Sequence, residues 1–114
     1  MFIFEDLQAY KKSLIFVEKV DAFLEANKIN RRLEDQLYRA ASSITLNLAE
    51  GAGRFTNADK RNFYIVARGS IYECVAVFQL LRQTQKISDA DYGLFYVLAE
   101  ELSKMTNGLI GATE

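Results

Sequence analysis

Histidine and proline are absent from this 114-residue chain, and cysteine occurs once, as Cys74. The missing histidine removes the commonest general base, the Ser/His and Cys/His nucleophile pairs, and the Glu-x-x-His pattern of di-iron bundles. A single thiol without histidine leaves no zinc site, rules out an internal disulfide and agrees with a reducing, cytoplasmic setting. Without proline nothing forces a kink, so long straight helices are open to the chain. No apolar run approaches the roughly 20 residues that span a bilayer. The opening MFIFEDLQAYKK lacks the basic leader, long apolar region and small-residue cleavage site of a secretory signal. These absences predict a protein with no catalytic residue, no cofactor, no metal and no membrane partner.

Half the residues are hydrophobic and a quarter are charged, the composition of a globular chain, and the length suits one domain over residues 1–114. The net charge of −1 is unevenly spread, because residues 31–68 carry seven basic side chains against four acidic ones. The middle of the chain is its electropositive part.

No strand alternation or linker is evident, and the apolar spacing is helical throughout. Helix one is expected from Phe4 to about Asn27. Its stripe of Leu7, Tyr10, Leu14, Val17 and Leu24 is widened by Phe16, Val20 and Phe23 beyond the ~100° that one core needs. That width fits either two buried sides or one broad core face. Asn30 is placed to cap helix two, which ends at Gly51 and Gly53, where glycine in the left-handed conformation terminates helices. Thr56 with Asp59, and Ser88 with Asp91, resemble capping boxes that open helices three and four. Helix three, to about Gln85, carries Phe63, Val66, Ala67, Ser70, Cys74, Val77, Phe78 and Leu81 on one face. A weaker stripe of Ile65, Gly69, Tyr72, Ala76 and Leu80 lies opposite, with Gly69 suited to close backbone approach. Helix four spaces Phe95, Leu98, Leu102, Met105, Leu109 and Ala112 by threes and fours, and its glycine-containing last turns are expected to fray. The fold class is all-α: a left-handed, antiparallel up-down-up-down four-helix bundle.

The stretch QLYRAASSITLNLAEGAGR in helix two sets polar residues beside its core stripe. Ser43 and Asn47 are short and are mediocre helix formers, unlike the long charged residues of a solvated face. With Arg39 and Glu50, and with Ser70 and Glu73 from helix three, they are expected to form a hydrogen-bonded network that fixes the register of the two helices. The alternative is a polar pocket near Arg39, Asn47 and Glu73 that binds a small ligand without any nucleic-acid role. Gly51, Gly53 and Arg54 do not make a phosphate loop, since they follow a helix and no Gly-Lys-Ser/Thr succeeds them. Cys74 falls on the core face as a small hydrophobe. Arg31 and Arg32 at one end, and Arg54, Lys60 and Arg61 at the other, are candidate nucleic-acid contacts; repeated around an oligomer, either group makes a positive rim.

Five segments carry a resemblance: Phe4-Glu5-Asp6-Leu7, Gln36-Leu37-Tyr38-Arg39-Ala40-Ala41, Ser43-Ile44 with Asn47-Leu48-Ala49-Glu50-Gly51, Gly53-Arg54, and Ala67-x-Gly69-Ser70-x-x-Glu73. Through them the chain resembles the bacterial 23S rRNA-intervening sequence protein family, whose superfamily includes the accessory variability determinant of diversity-generating retroelements. The resemblance implies an up-down four-helix fold, a ring-shaped homopentamer and no catalytic residues. For the retroelement proteins it further implies a basic ring that engages nucleic acid and a reverse transcriptase, from which a net charge of −1 departs. The expected function is a non-catalytic oligomeric scaffold that binds a macromolecular partner, RNA or a ribonucleoprotein.

Overall fold

A computed structural model describes all residues 1–114. The chain forms a short 3-10 helix, Ile3–Asp6, and four α-helices: α1 Gln8–Ala26, α2 Arg31–Ala52, α3 Asn57–Gln83 and α4 Asp89–Gly111. The start of α1 differs from the sequence expectation of one helix from Phe4. Leu7 adopts extended dihedrals (φ −70°, ψ 120°) and no side chain caps the helix it precedes, so the aromatic Phe2–Phe4 segment folds back as a separate turn, with the Phe4 ring edge-on to Tyr10 at 4.8 Å.

The other starts follow their capping residues. Asn30 Oδ1 accepts from the Arg32 and Leu33 amides at 2.8 and 3.4 Å, Thr56 Oγ1 from Asp59 at 3.1 Å, and Ser88 Oγ from Asp91 at 3.1 Å. Each satisfies an amide that the first helical turn leaves unpaired. The ends depart from expectation. Gly53 closes α2 at φ −87°, in the right-handed region, and no glycine has a positive φ. Gly51 is needed for space instead: a Cβ there would lie 2.8 Å from Tyr64 Cε1 and 3.0 Å from Phe63 Cβ. At the end of α3 the left-handed residue is Gln85 (φ 59°), and the Lys86 amide returns to the Leu81 carbonyl at 2.8 Å, the long hydrogen bond of a Schellman ending.

Consecutive helices pack side by side, α2 against α3 most extensively, and α1 closes against α4, leaving α1–α3 and α2–α4 as the diagonals. Cross-helix pairs show that neighbours run antiparallel. Ser13 near the start of α1 meets Thr45 late in α2, and Arg61 at the start of α3 meets Thr113 beyond α4. The body measures 44 × 26 × 22 Å.

One core cluster draws on all four helices. At its centre Phe78 and Phe95 stack at 4.3 Å, and Phe16 and Phe23 stand edge-on to both. The α1 core line is Ala9, Ser13, Phe16, Val20 and Phe23, whereas Leu14 faces outward. In α3, Tyr64 and Ile71 are buried and Val66 is exposed. In α4 the buried line is Phe95, Ala99, Leu102, Thr106 and Ile110, which turns Met105 and Ala112 to solvent. Thr106 enters the core because its hydroxyl donates to the Leu102 carbonyl at 2.7 Å, so no polar atom is left bare. The last turn of α4 does not hang free: Thr113 is buried and the Arg61 guanidinium donates to both its hydroxyl and its carbonyl.

No uninterrupted apolar run reaches bilayer length, but α3 passes the test of length and mean composition for a spanning helix. Its apolar residues are shared between the bundle core, reached by Ala67, Ile71, Cys74 and Phe78, and an outward stripe that includes Ile65, Tyr72 and Leu80.

Candidate functional site

The candidate site is the polar seam where α2 meets α3. Ser70 is buried, and its hydroxyl donates to Ser43 Oγ at 2.8 Å. Asn47 Nδ2 donates to the same oxygen at 3.0 Å and to the Ser43 carbonyl at 2.8 Å. Two turns away Gln36 Nε2 donates to Glu73 Oε2 at 3.2 Å. The seam therefore holds two hydrogen-bonded groups, one neutral and one with a single carboxylate. Helical spacing explains the grouping, since residues 36, 43 and 47 fall on one side of α2, and residues 70 and 73 on the facing side of α3.

Arg39 and Glu50 lie outside this seam. Arg39 is exposed and lines a cleft of about 400 Å³ with Asp21, Glu25, Glu34, Asp35 and Tyr38, on the side of α2 that faces α1. It makes no ion pair, the three pairs in the molecule being Lys12–Glu101, Arg54–Glu50 and Arg82–Asp89. Glu50 turns along its own helix to Arg54 at 2.7 Å. The expectation of one network across Arg39, Ser43, Asn47, Glu50, Ser70 and Glu73 is thus corrected: Arg39 and Glu50 leave it, and Gln36 supplies the partner of Glu73. A long guanidinium at the edge of a seam keeps its hydration by staying outside, whereas a serine hydroxyl is short enough to be paired within. The cleft beside Arg39 contains neither Asn47 nor Glu73, so the three do not line one pocket there.

Sequence reasoning also missed a second buried pair. Thr45 Oγ1 donates to Ser13 Oγ at 2.9 Å, and Ser13 Oγ donates to the Tyr10 carbonyl at 2.6 Å, joining α1 to α2. The signal was present as Ser13 and Thr45 at core-line spacing. No buried side-chain nitrogen or oxygen lacks a partner.

The chemistry available here is limited. Burial, reinforced by the neighbouring Glu73 carboxylate, pushes the Cys74 thiol up to about 12, so it stays protonated and is no nucleophile. Burial likewise raises Tyr64. No three side chains of His, Cys, Asp or Glu gather in a way that would hold a metal ion.

The basic residues fall into two sets about 33 Å apart along α2. Arg31 and Arg32 are exposed at its start and donate no side-chain hydrogen bond. At the far end each cation is engaged: Arg54 with Glu50 and over the Phe63 ring at 4.5 Å, Lys60 with the Ala52 carbonyl at 2.9 Å, and Arg61 with Thr113.

Fold and seam together define an all-α four-helix protein with a hydrogen-bonded polar seam between α2 and α3. Within that class its kinship is specific: residues 5–108 match the 23S rRNA-intervening sequence protein family, and the chain belongs to it. It is similar in fold to the crystal structure of a protein of unknown function from the S23 ribosomal protein family of Bacteroides thetaiotaomicron. The TM-score is 0.83 at 24% identity, over 90% of this chain and 97% of that one. No curated protein matches the sequence.

Proposed function

We propose that the protein is a non-catalytic helical scaffold whose copies associate laterally, five to a ring as the family resemblance implies, and that the assembly presents its rim to RNA or a ribonucleoprotein. The observation that carries this reading is the outer face of α3. Ile65, Tyr72 and Leu80 are 40, 57 and 52% exposed along one stripe, and the small residues between them include Gly69, where an added Cβ would meet nothing. A small-residue stripe flanked by large apolar side chains suits close approach of another helix better than it suits water.

A second copy fits this face because the diagonally opposite helix offers a matching one. Leu14 and Ile15 are exposed on α1, which lies across the bundle from α3. Apolar faces on opposite corners of a subunit join head to tail, and such contacts close into rings when the rotation allows. RNA contact in the assembly falls to Arg31 and Arg32, the set left free. Glu34 and Asp35 follow a turn later, so the attraction is modest and steeply salt-dependent.

The test is solution mass by light scattering. The protein is expected at a multiple of its 13.0 kDa subunit, and Leu80→Glu is expected to lower that mass with helicity unchanged. A monomer at high concentration overturns the scaffold. RNA binding at low ionic strength that survives Arg31→Gln with Arg32→Gln overturns the assignment of the rim.

A further inference from the structure

We infer that the end of the bundle at the α2–α3 turn is a second self-association surface, on which two copies pair about a two-fold axis with each Phe55 seated in the other's end cavity. The five most exposed large hydrophobic residues of the chain are Phe55, Met1, Ile3, Phe2 and Leu46. Four of them line one cavity of about 610 Å³, together with Arg54 and Asp59. Leu46 lies one turn before Glu50, which also lines it. The patch is built from two separate parts of the chain, since the 3-10 helix Ile3–Asp6 packs on α2.

Three features select a second copy as the occupant. The first is area: fully covered, these five residues would contribute at most roughly 800 Å², the scale of one partner's share of a standard interface. The second is shape. The fully exposed Phe55 ring projects beside the cavity that would receive its counterpart, and a plug next to its own socket is self-complementary under two-fold symmetry.

The third feature is charge. Arg54 is already paired with Glu50, and the Lys60 ammonium is held by a backbone carbonyl. The Asp59 carboxylate on the cavity wall has no cation of its own chain within ion-pair distance. A phosphate backbone or an anionic bilayer would meet that carboxylate, whereas a two-fold copy can bring its own Arg54 toward it, the Arg54–Glu50 pair being exposed and readily exchanged.

This pairing uses the end of the bundle and does not depend on the lateral association proposed above. It is tested with Phe55→Glu, a substitution at a fully exposed position, and with Phe55→Cys, the native Cys74 being buried and unreactive. In Phe55→Glu the mass in solution is expected to fall two-fold with the same thermal stability of the subunit. Phe55→Cys is expected to form a disulfide-linked dimer under mild oxidation, whereas Gln83→Cys at the opposite end is not. In the Leu80→Glu background the same halving is expected, from dimer to monomer, so failure of the lateral contact leaves this result readable. An unchanged mass in Phe55→Glu overturns the pairing. So does binding to phosphatidylcholine/phosphatidylglycerol vesicles that Phe55→Glu abolishes without changing the mass, or equal cross-linking at positions 55 and 83.

Discussion

Gly51→Ala sets two effects of known size against each other at the tightest point of the α2–α3 contact. Within a helix the change from glycine to alanine gains up to about 1 kcal/mol, and less here, in the last turn of α2. The added methyl carbon would sit 2.8 Å from Tyr64 Cε1 and 3.0 Å from both Tyr64 Cδ1 and Phe63 Cβ. Phe63 Cβ is fixed to the α3 backbone and the Tyr64 ring is buried, so neither yields without the helices parting. Overpacking of this kind costs about 1–3 kcal/mol. The clash outweighs the propensity gain, and the net expectation is a loss of about 1–2 kcal/mol, read as a melting temperature lower by roughly 4–8 °C. The assay is thermal and urea denaturation followed by circular dichroism. Gly108→Ala is the matched control, because its new Cβ meets nothing within 4 Å and helix propensity alone should raise stability by up to about 1 kcal/mol. A Gly51→Ala protein as stable as the parent refutes the idea that this glycine is there for space.

Two further perturbations probe the interior. Ser43→Ala is expected to cost about 1–3 kcal/mol by leaving the buried Ser70 hydroxyl without its acceptor, while the double variant with Ser70→Ala costs less than the two singles summed, as a double-mutant cycle by urea denaturation would show. Cys74 gives a pH dependence: its folded-state value of about 12 lies above the ordinary 9.0. The unfolded chain therefore releases this proton first, and the contribution to stability is complete below pH 9 and declines from there toward 12. The melting temperature is expected to fall on the alkaline side of 9 with a shallower slope in Cys74→Ala; identical slopes refute the assignment.

The helix starts were legible because a cap is local. Asn30, Thr56 and Ser88 declare themselves by residue type and by a partner two or three positions on, and nothing distant competes. Facing and partner choice were less so. The apolar heptad read in α4 was rotated by Thr106, whose hydroxyl satisfies itself inside its own helix and so passes as an apolar residue. In the seam, spacing located Ser43, Asn47, Ser70 and Glu73 but could not say which long side chain would bend toward them. Arg39 and Gln36 are about one turn apart but about 60° apart around the helix, Gln36 in line with Ser43 and Asn47 and Arg39 turned toward α1, and the lower desolvation cost of an amide than of a guanidinium favours the same choice. The break at Leu7 had no sequence punctuation, since neither glycine nor proline marks it. Frayed last turns were expected of α4 from Asn107, Gly108 and Gly111; the grip of Arg61 lies more than 50 residues away in sequence and leaves no local trace.

That grip changes how the fourth rod comes loose. A helix at the edge of a bundle ordinarily unzips from its tail, where the chain has least to lose. Here the tail is latched to the neighbouring rod by Arg61, while the opposite end is held by Arg82, whose guanidinium lies over the Tyr92 ring at 4.5 Å and reaches Asp89. A load pulling on the tail is therefore met first by the Arg61 clasp, and the fourth rod cannot unzip from its last turn without breaking it.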